Sequence, residues 1–401
     1  MIPLDTPRRP WALLLCLALA ACADAPVQPP ARETLFDDAS FARPSELMTA
    51  AEVFKVSPEM REYLDTRVAQ VAEKQGESRA LVESLFKDRR VQVDYDAEYT
   101  RDAAQTFHAR MGNCLSLAIV TGAMAKALGL DVRYQSVQTS EHWEREGDLL
   151  ELVGHVNVTV GLPVPRIQAF TFDPDRWTVD FMPQADLRHL VTEPITEERV
   201  VAMFMNNRAA EALASKRIDE AYWWVRSGLA ADPSFYSLYN TLGVTYWRKG
   251  LLAQADAAFR FAIVKQPGSQ ETWNNYALVL RREGRPEQAA LIEKAHPLTV
   301  AATLVAAIDG GIKANAAGDY PRALELFKRA LRVAGDNHQL HYLLAVTYVN
   351  MGDREHAMEQ LAQAEDNSVT ARQRSIYMSK AEMLKTATSS FRLDPKAAQL
   401  N

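Results

Sequence analysis

Cysteine is scarce in this sequence: three in 401 residues, at Cys16, Cys22 and Cys114. No even set of cysteines at regular spacing exists, which excludes a disulfide-stapled scaffold. The apolar run from Trp11 to Ala21 has 11 residues. That is too short for a permanent bilayer span, which needs about 20. Neither sign of charge dominates. A formal net charge of −6 gives no basic surface for nucleic acid. Zinc-ligand spacings, a Walker loop and a glycine-rich dinucleotide fingerprint are all missing. His338 and His341 stand three apart with no third ligand and read as helix surface, and His108, His142 and His189 have no ligand spacing. No cofactor and no metal are expected. What remains is 48 % hydrophobic and 24 % charged residues, an ordinary globular composition with length for two or three domains.

The strongest pattern is internal repetition. Windows of 34 residues starting at Ala202, Tyr236, Gln270, Leu304 and His338 stay in phase without insertion. Position 8 is small in each: Ala209, Gly243, Ala277, Gly311 and Ala345. Position 20 is alanine in each: Ala221, Ala255, Ala289, Ala323 and Ala357. Position 27 is small in four of five windows: Gly228, Ala262, Ala330 and Ala364, with His296 the exception. Small side chains at a fixed period let two antiparallel helices approach closely. In the second window larger residues at positions 4, 7, 11 and 24 fill the space around that crossing. The second window carries Tyr239, Leu242, Gly243, Tyr246, Ala255, Phe259, Ala262 and Pro267. This resembles the tetratricopeptide repeat, a helix–turn–helix unit that buries its apolar face only by stacking. Arg372–Thr386 reads as a capping helix. The resemblance implies a groove that holds a polypeptide partner, or a scaffold that displays the other domain.

At the start of the chain, Arg8 and Arg9 precede the apolar run, which ends in Leu19-Ala20-Ala21-Cys22. This resembles a bacterial lipobox, with cleavage before Cys22 and lipid on its sulphur. Ala23 at the next position, rather than Asp, implies the outer membrane under the enterobacterial sorting pattern. The expected location is therefore the cell envelope, lipid-anchored and facing the periplasm. Ala23–Pro44, with four prolines and no apolar periodicity, reads as a flexible tether. From Ser45 to about Lys87 the chain reads as helices, with Ser57-Pro58-Glu59 a helix start. With Cys16 removed and Cys22 lipidated, Cys114 is the one thiol remaining.

That thiol lies in Gly112-Asn113-Cys114-Leu115-Ser116, the opening of a helix that runs to about Leu128 and stops at Gly129. Val132–Val137 reads as a strand and Thr139–Asp148 as a polar loop. Gly154–Val160 alternates as a strand with His155, Asn157 and Thr159 on one face. Asp173-Pro174 reads as a turn, and Trp177–Phe181 as a further strand carrying Asp180. Residues 90–190 thereby resemble the transglutaminase-like, papain-related fold. The resemblance implies that Cys114 is the nucleophile, at a helix start that favours the thiolate. It implies that His155 shuttles the proton and that a carboxylate orients the imidazole. Asp180 is preferred for that carboxylate, following Trp177 as in the family. Asp173, followed by Pro174, is the alternative. The family's His-x-Trp is here His155-Val156-Asn157.

The sequence therefore predicts an α+β transglutaminase-like domain followed by an all-α tetratricopeptide-repeat solenoid. Its parts are a signal peptide (1–21), tether (22–44), transglutaminase-like domain with N-terminal helices (45–195), five repeats and a cap (196–386) and a tail (387–401). The expected activity is that of a cysteine hydrolase or acyl-transferase on peptide or amide bonds, with a polypeptide recruited by the repeats. The alternative is an inactive scaffold for protein–protein contacts in the envelope.

Overall fold

The structure is a computed structural model that describes residues 31–45, 47–86, 93–95, 99–138, 143–146, 149–152, 155–162, 176–179, 191–296, 301–334, 337–368 and 371–386. Helices α1 (Ala50–Val53), α2 (Pro58–Tyr63), α3 (Ala69–Gln75) and α4 (Glu77–Phe86) come first. Ser57 caps α2, its Oγ accepting from the Met60 N–H at 3.2 Å, with Pro58 in the first helical position. A π turn over Leu64–Val68 joins α2 to α3. Strand β1 (Asp94–Tyr95) pairs parallel with β2 (Met111–Gly112), and α5 (Ala103–Ala109) lies between them in sequence.

Helix α6 (Cys114–Ala127) is buried at every residue from Cys114 to Ala125, as expected of a helix apolar on all sides. Gly129, at φ +78°, ends it in the left-handed region where glycine is favoured. The chain then turns back into β3 (Asp131–Gln138). Next come β4 (Trp143–Glu146), β5 (Leu149–Leu152), β6 (His155–Gly161), β7 (Trp177–Val179) and β8 (Val191–Ile195). The main sheet has the order β7-β6-β3-β8, with antiparallel neighbours. Pro194 is accommodated because β8 is an edge strand. Strands β4 and β5 form a separate antiparallel hairpin, with Trp143 opposite Leu152. Part of the stretch expected as a loop, 139–148, is therefore strand. Its charged residues mask a pairing that the partner strand supplies.

Five helix pairs follow among the described residues, in phase with the 34-residue windows. They are α7 (Glu197–Ala214) with α8 (Ile218–Ala231), α9 (Ser237–Lys249) with α10 (Leu252–Lys265), and α11 (Gln270–Arg282) with α12 (Pro286–Ala295). Then come α13 (Ala301–Ala316) with α14 (Tyr320–Ala334) and α15 (His338–Met351) with α16 (Arg354–Asp366), closed by α17 (Ala371–Thr386). The small positions have a direct cause. A Cβ on Gly243 would sit 2.9 Å from the Phe259 ring, and one on Gly311 would sit 2.4 Å from Phe327. In these two windows position 8 is thus held small by the aromatic ring at position 24. Ala221, Ala255, Ala289, Ala323 and Ala357 at position 20 are fully buried.

Among the described residues the buried side chains form two clusters. The larger runs from Leu35 through α6 and the sheet to Ala289, so the first three helix pairs share one core with the sheet domain. The smaller joins the last two pairs to α17. His338 and His341, expected on a helix surface, are buried there. His338 Nδ1 lies 2.9 Å from the Tyr377 hydroxyl and His341 Nδ1 2.9 Å from Gln360 Oε1. The closing helix covers His338, which windows read one at a time could not show. Among the described residues no helix is long and apolar enough to cross a membrane.

Residues 32–43, within the stretch expected as a tether, are docked on the repeats. Two short 3₁₀ turns, Arg32–Leu35 and Asp38–Ser40, lie against α8, α9 and α10. Phe41 stacks on Tyr222 with centroids 3.9 Å apart, and Arg226 lies over the Phe36 ring. Arg226 also grips Asp38 with two hydrogen bonds, at 2.8 and 3.1 Å. The Tyr222 hydroxyl donates to Asp38 Oδ1, and the Tyr246 hydroxyl donates to the Leu35 carbonyl at 2.7 Å. The proline content that suggests a tether says nothing of these partners, which lie about two hundred residues away in sequence.

Candidate cysteine site at the start of helix α6

Cys114 is the first residue of α6, and Asn113 is its N-cap. The Asn113 Oδ1 accepts the Ser116 N–H at 2.9 Å. The glycine of Gly-x-Cys has a packing reason. A Cβ on Gly112 would come within 2.7 Å of Ser116 Cβ and 3.2 Å of Thr106. The chain therefore enters α6 pressed against that helix's own first turn. Arg110, just before, takes the left-handed conformation at φ 55°, uncommon for a side chain of its size. The Cys114 side chain is 8 % exposed.

His155 opens β6 and is 7 % exposed. Topology brings it to the Cys114 end of the molecule. Helix α6 turns back through Gly129 into β3, so the far end of β3 returns toward Cys114, and His155 pairs with Val137 at that end. Within the strand, Val156, Val158 and Val160 are fully buried. Val158 pairs with Tyr134, whose ring lies against α6 at Gly122, so this valine face looks onto α6. Alternation puts His155, Asn157 and Thr159 on the other face. Cys114 and His155 thus share an end of the helix–sheet layer, and the imidazole belongs to the polar face of its strand. On that face Thr159 and Thr178 hydroxyls lie 2.8 Å apart. Asn157 Oδ1 is buried without a hydrogen-bond partner among the described residues.

Strand β7 ends at Val179 opposite Val158. Asp180, Asp173 and Cys22 lie outside the described residues. Among the described residues no group of three His, Cys, Asp or Glu side chains could hold a metal ion.

The sequence did not single out the residues that brace this site. Thr100 is 2 % exposed. Its Oγ1 accepts from Asn113 Nδ2 at 2.8 Å and from Asn207 Nδ2 at 3.2 Å. Its N–H donates to Glu211 Oε1 at 2.7 Å, and Arg208 pairs with the other Glu211 oxygen at 2.7 Å. Burial pushes the Glu211 carboxyl above its ordinary range, against the pull of Arg208. The one local signal was Asn113 itself, a good N-cap type directly before an apolar helix.

Comparison with known proteins agrees with this architecture. The transglutaminase-like superfamily matches residues 65–179, and tetratricopeptide repeats match 240–299 and 314–375. The chain therefore consists of a transglutaminase-like domain followed by tetratricopeptide repeats. No curated protein matches the chain. Among solved structures, similarity extends to YrrB, a TPR protein with an unusual peptide-binding site. It is 20 % identical, with 44 % of this chain and 92 % of that one covered and a TM-score of 0.24. Pseudomonas aeruginosa pilF is 15 % identical over 47 % of this chain and 90 % of its own, with a TM-score of 0.29. TTC0263, a thermophilic TPR protein of Thermus thermophilus, is 18 % identical over 46 % of this chain and all of its own, with a TM-score of 0.30.

Proposed function

We propose that the protein is a lipid-anchored cysteine enzyme of the cell envelope that cleaves or transfers acyl groups at peptide or amide bonds. The repeats hold the polypeptide it acts on. The observation that carries this reading is Cys114 at the capped N-terminus of α6, inside the transglutaminase-like match. A helix start favours the thiolate. The sulphur attacks the amide carbonyl carbon, and the C–N bond breaks. The leaving amine takes the proton that His155 removed from the thiol. Water or a second amine then opens the thioester, passing its proton through His155 back to the sulphur. Asp180, or Asp173 in its place, holds the imidazole in one tautomer. Lipid on Cys22 places the enzyme at the membrane, and the outer membrane follows from Ala23.

One observation favours the second reading, an inactive scaffold. Where the family often carries His-x-Trp, this strand carries His155-Val156-Asn157. Alkylation of Cys114 with iodoacetamide, followed by mass spectrometry of its peptide, decides between them without a known substrate. The enzyme reading expects a pH midpoint well below the ordinary thiol value of about 8.5, and His155→Ala returns it to that value. Whichever of Asp180→Asn and Asp173→Asn shifts the midpoint identifies the orienting carboxylate. A wild-type thiol that titrates at about 8.5 or does not react leaves the scaffold.

A further inference from the structure

Every polar group of Thr100 is engaged by α7 or by the cap of α6. A threonine hydroxyl has two acceptor sites. One receives the Asn113 amide and the other the Asn207 amide, at 2.8 and 3.2 Å. The N–H goes to Glu211, and the Thr100 carbonyl receives Arg208 at the longer distance of 3.5 Å. The next residue continues the arrangement, with the Arg101 N–H donating to Ser116 Oγ in the first turn of α6 at 2.8 Å.

Asn113 is the pivot. Its oxygen caps Ser116 and its amide nitrogen is held by Thr100. An Asn side chain can cap a helix only in one amide orientation, with the oxygen toward the first turn. The Ser116 N–H, a donor only, requires the oxygen, and Thr100 Oγ1 holds the amide there by accepting from its nitrogen. Asn207 on the first repeat donates to the same oxygen and so helps to hold the hydroxyl in place. Glu211 fixes the Thr100 backbone that carries the hydroxyl.

We infer that the first repeat is part of the cysteine site: Asn207 and Glu211 on α7 are positioning residues that act through Thr100 and Asn113 to hold the N-terminus of α6 around Cys114. This rests on the proposed role of Cys114, and it adds a requirement for the solenoid that the transglutaminase-like domain alone does not predict. The effect of Asn207 and Glu211 is on the capped helix start that favours the thiolate.

The test uses the full chain and follows Cys114 alkylation by iodoacetamide against pH. Thr100→Val keeps the shape and removes the hydroxyl. It is expected to raise the midpoint and slow alkylation at pH 7 about fivefold, the size of a helix-terminus effect. Asn207→Ala is expected to act in the same direction, while Thr100→Ser restores wild-type kinetics. Asn240→Ala serves as the control for general loosening. It removes a buried amide of the second repeat that bonds Glu271 and Asn275 of the third. Wild-type kinetics in both Thr100→Val and Asn207→Ala, with a low wild-type midpoint, overturn this inference alone. An equal midpoint shift in Asn240→Ala also overturns it. An ordinary midpoint in the wild type removes the proposed enzyme and this inference together.

Discussion

Ala255 shows how much a single side chain decides in the repeats. It is fully buried where α9 and α10 cross, and Gly243 in the facing helix already lies against the Phe259 ring. Ala255→Leu adds volume where nothing can yield, so a loss of about 1–3 kcal/mol is expected. A control must lie outside the crossing. Gln254, one position earlier, reads as exposed in the sequence, yet its amide donates to Asp37 Oδ2 at 3.3 Å. Ala253 is exposed and serves better. Ala253→Leu is expected to stay within about 0.5 kcal/mol of neutral. Chemical denaturation checks both, and equal losses would mean that the helices cross elsewhere. At the same scale, Cys114 and its glycine were legible in the sequence because their reason is local: a tight entry, a cap and a helix start. Thr100 and Glu211 were not legible. A threonine and a glutamate are common, and their meaning comes from partners on another element.

The docked N-terminal segment is the element that sequence reading described least well. Its aromatic residues meet aromatic residues: Phe41 stacks on Tyr222, tilts against Tyr246, and lies beneath Lys249. Asp38 is ion-paired with Arg226 across this contact. The hydrogen bonds from Arg226 hold that carboxyl below its ordinary value of 3.8, and Tyr222 adds to them. A lowered carboxyl pKa means that the folded state favours the ionised form. The stabilisation is present above the ordinary value and is lost as pH falls through the lowered one. Asp38→Asn should therefore melt at a lower temperature than wild type at neutral pH, and the gap should shrink below about pH 4. Melting curves across that range provide the check. A gap that stays constant down to pH 2 would show that the charge of Asp38 contributes nothing to docking. Burial also raises the Tyr246 hydroxyl, to about 12, so the tyrosines of this contact remain neutral donors throughout that range.

At the scale of the whole molecule, the larger core does not stop where the sheet domain ends. It runs from Leu35 to Ala289, and the Lys126–Glu197 ion pair ties α6 directly to α7. A fragment cut near residue 195 would expose one side of that core, so binding experiments belong on the full chain. The proposed anchor also has a whole-molecule consequence. Nine residues separate Cys22 from the first docked turn at Arg32. Even fully extended, that stretch reaches only about 30–36 Å. Lipid on Cys22 would hold the α8–α10 side of the solenoid near the bilayer. Metabolic labelling with a palmitate analogue should mark the wild type and not Cys22→Ser. An unlabelled wild type would remove the lipid anchor from the proposal.

The sequence by itself determined the two fold classes and their order. The period of 34 and the small residues at positions 8 and 20 are repeated, short-range constraints. Each window restates the same packing problem, so the pattern accumulates. The helix–strand–strand order around Cys114 and His155 was legible for a similar reason, since glycine stops, caps and alternation are local. Tertiary structure alone decided what those parts do to one another. It placed the segment after residue 31 on repeats two hundred residues away and buried His338 under the closing helix. It also set the first repeat behind the cap of the cysteine helix. Each of these contacts joins residues far apart in the chain, through side chains of common type. No periodicity marks such pairs, and only the folded chain brings them together.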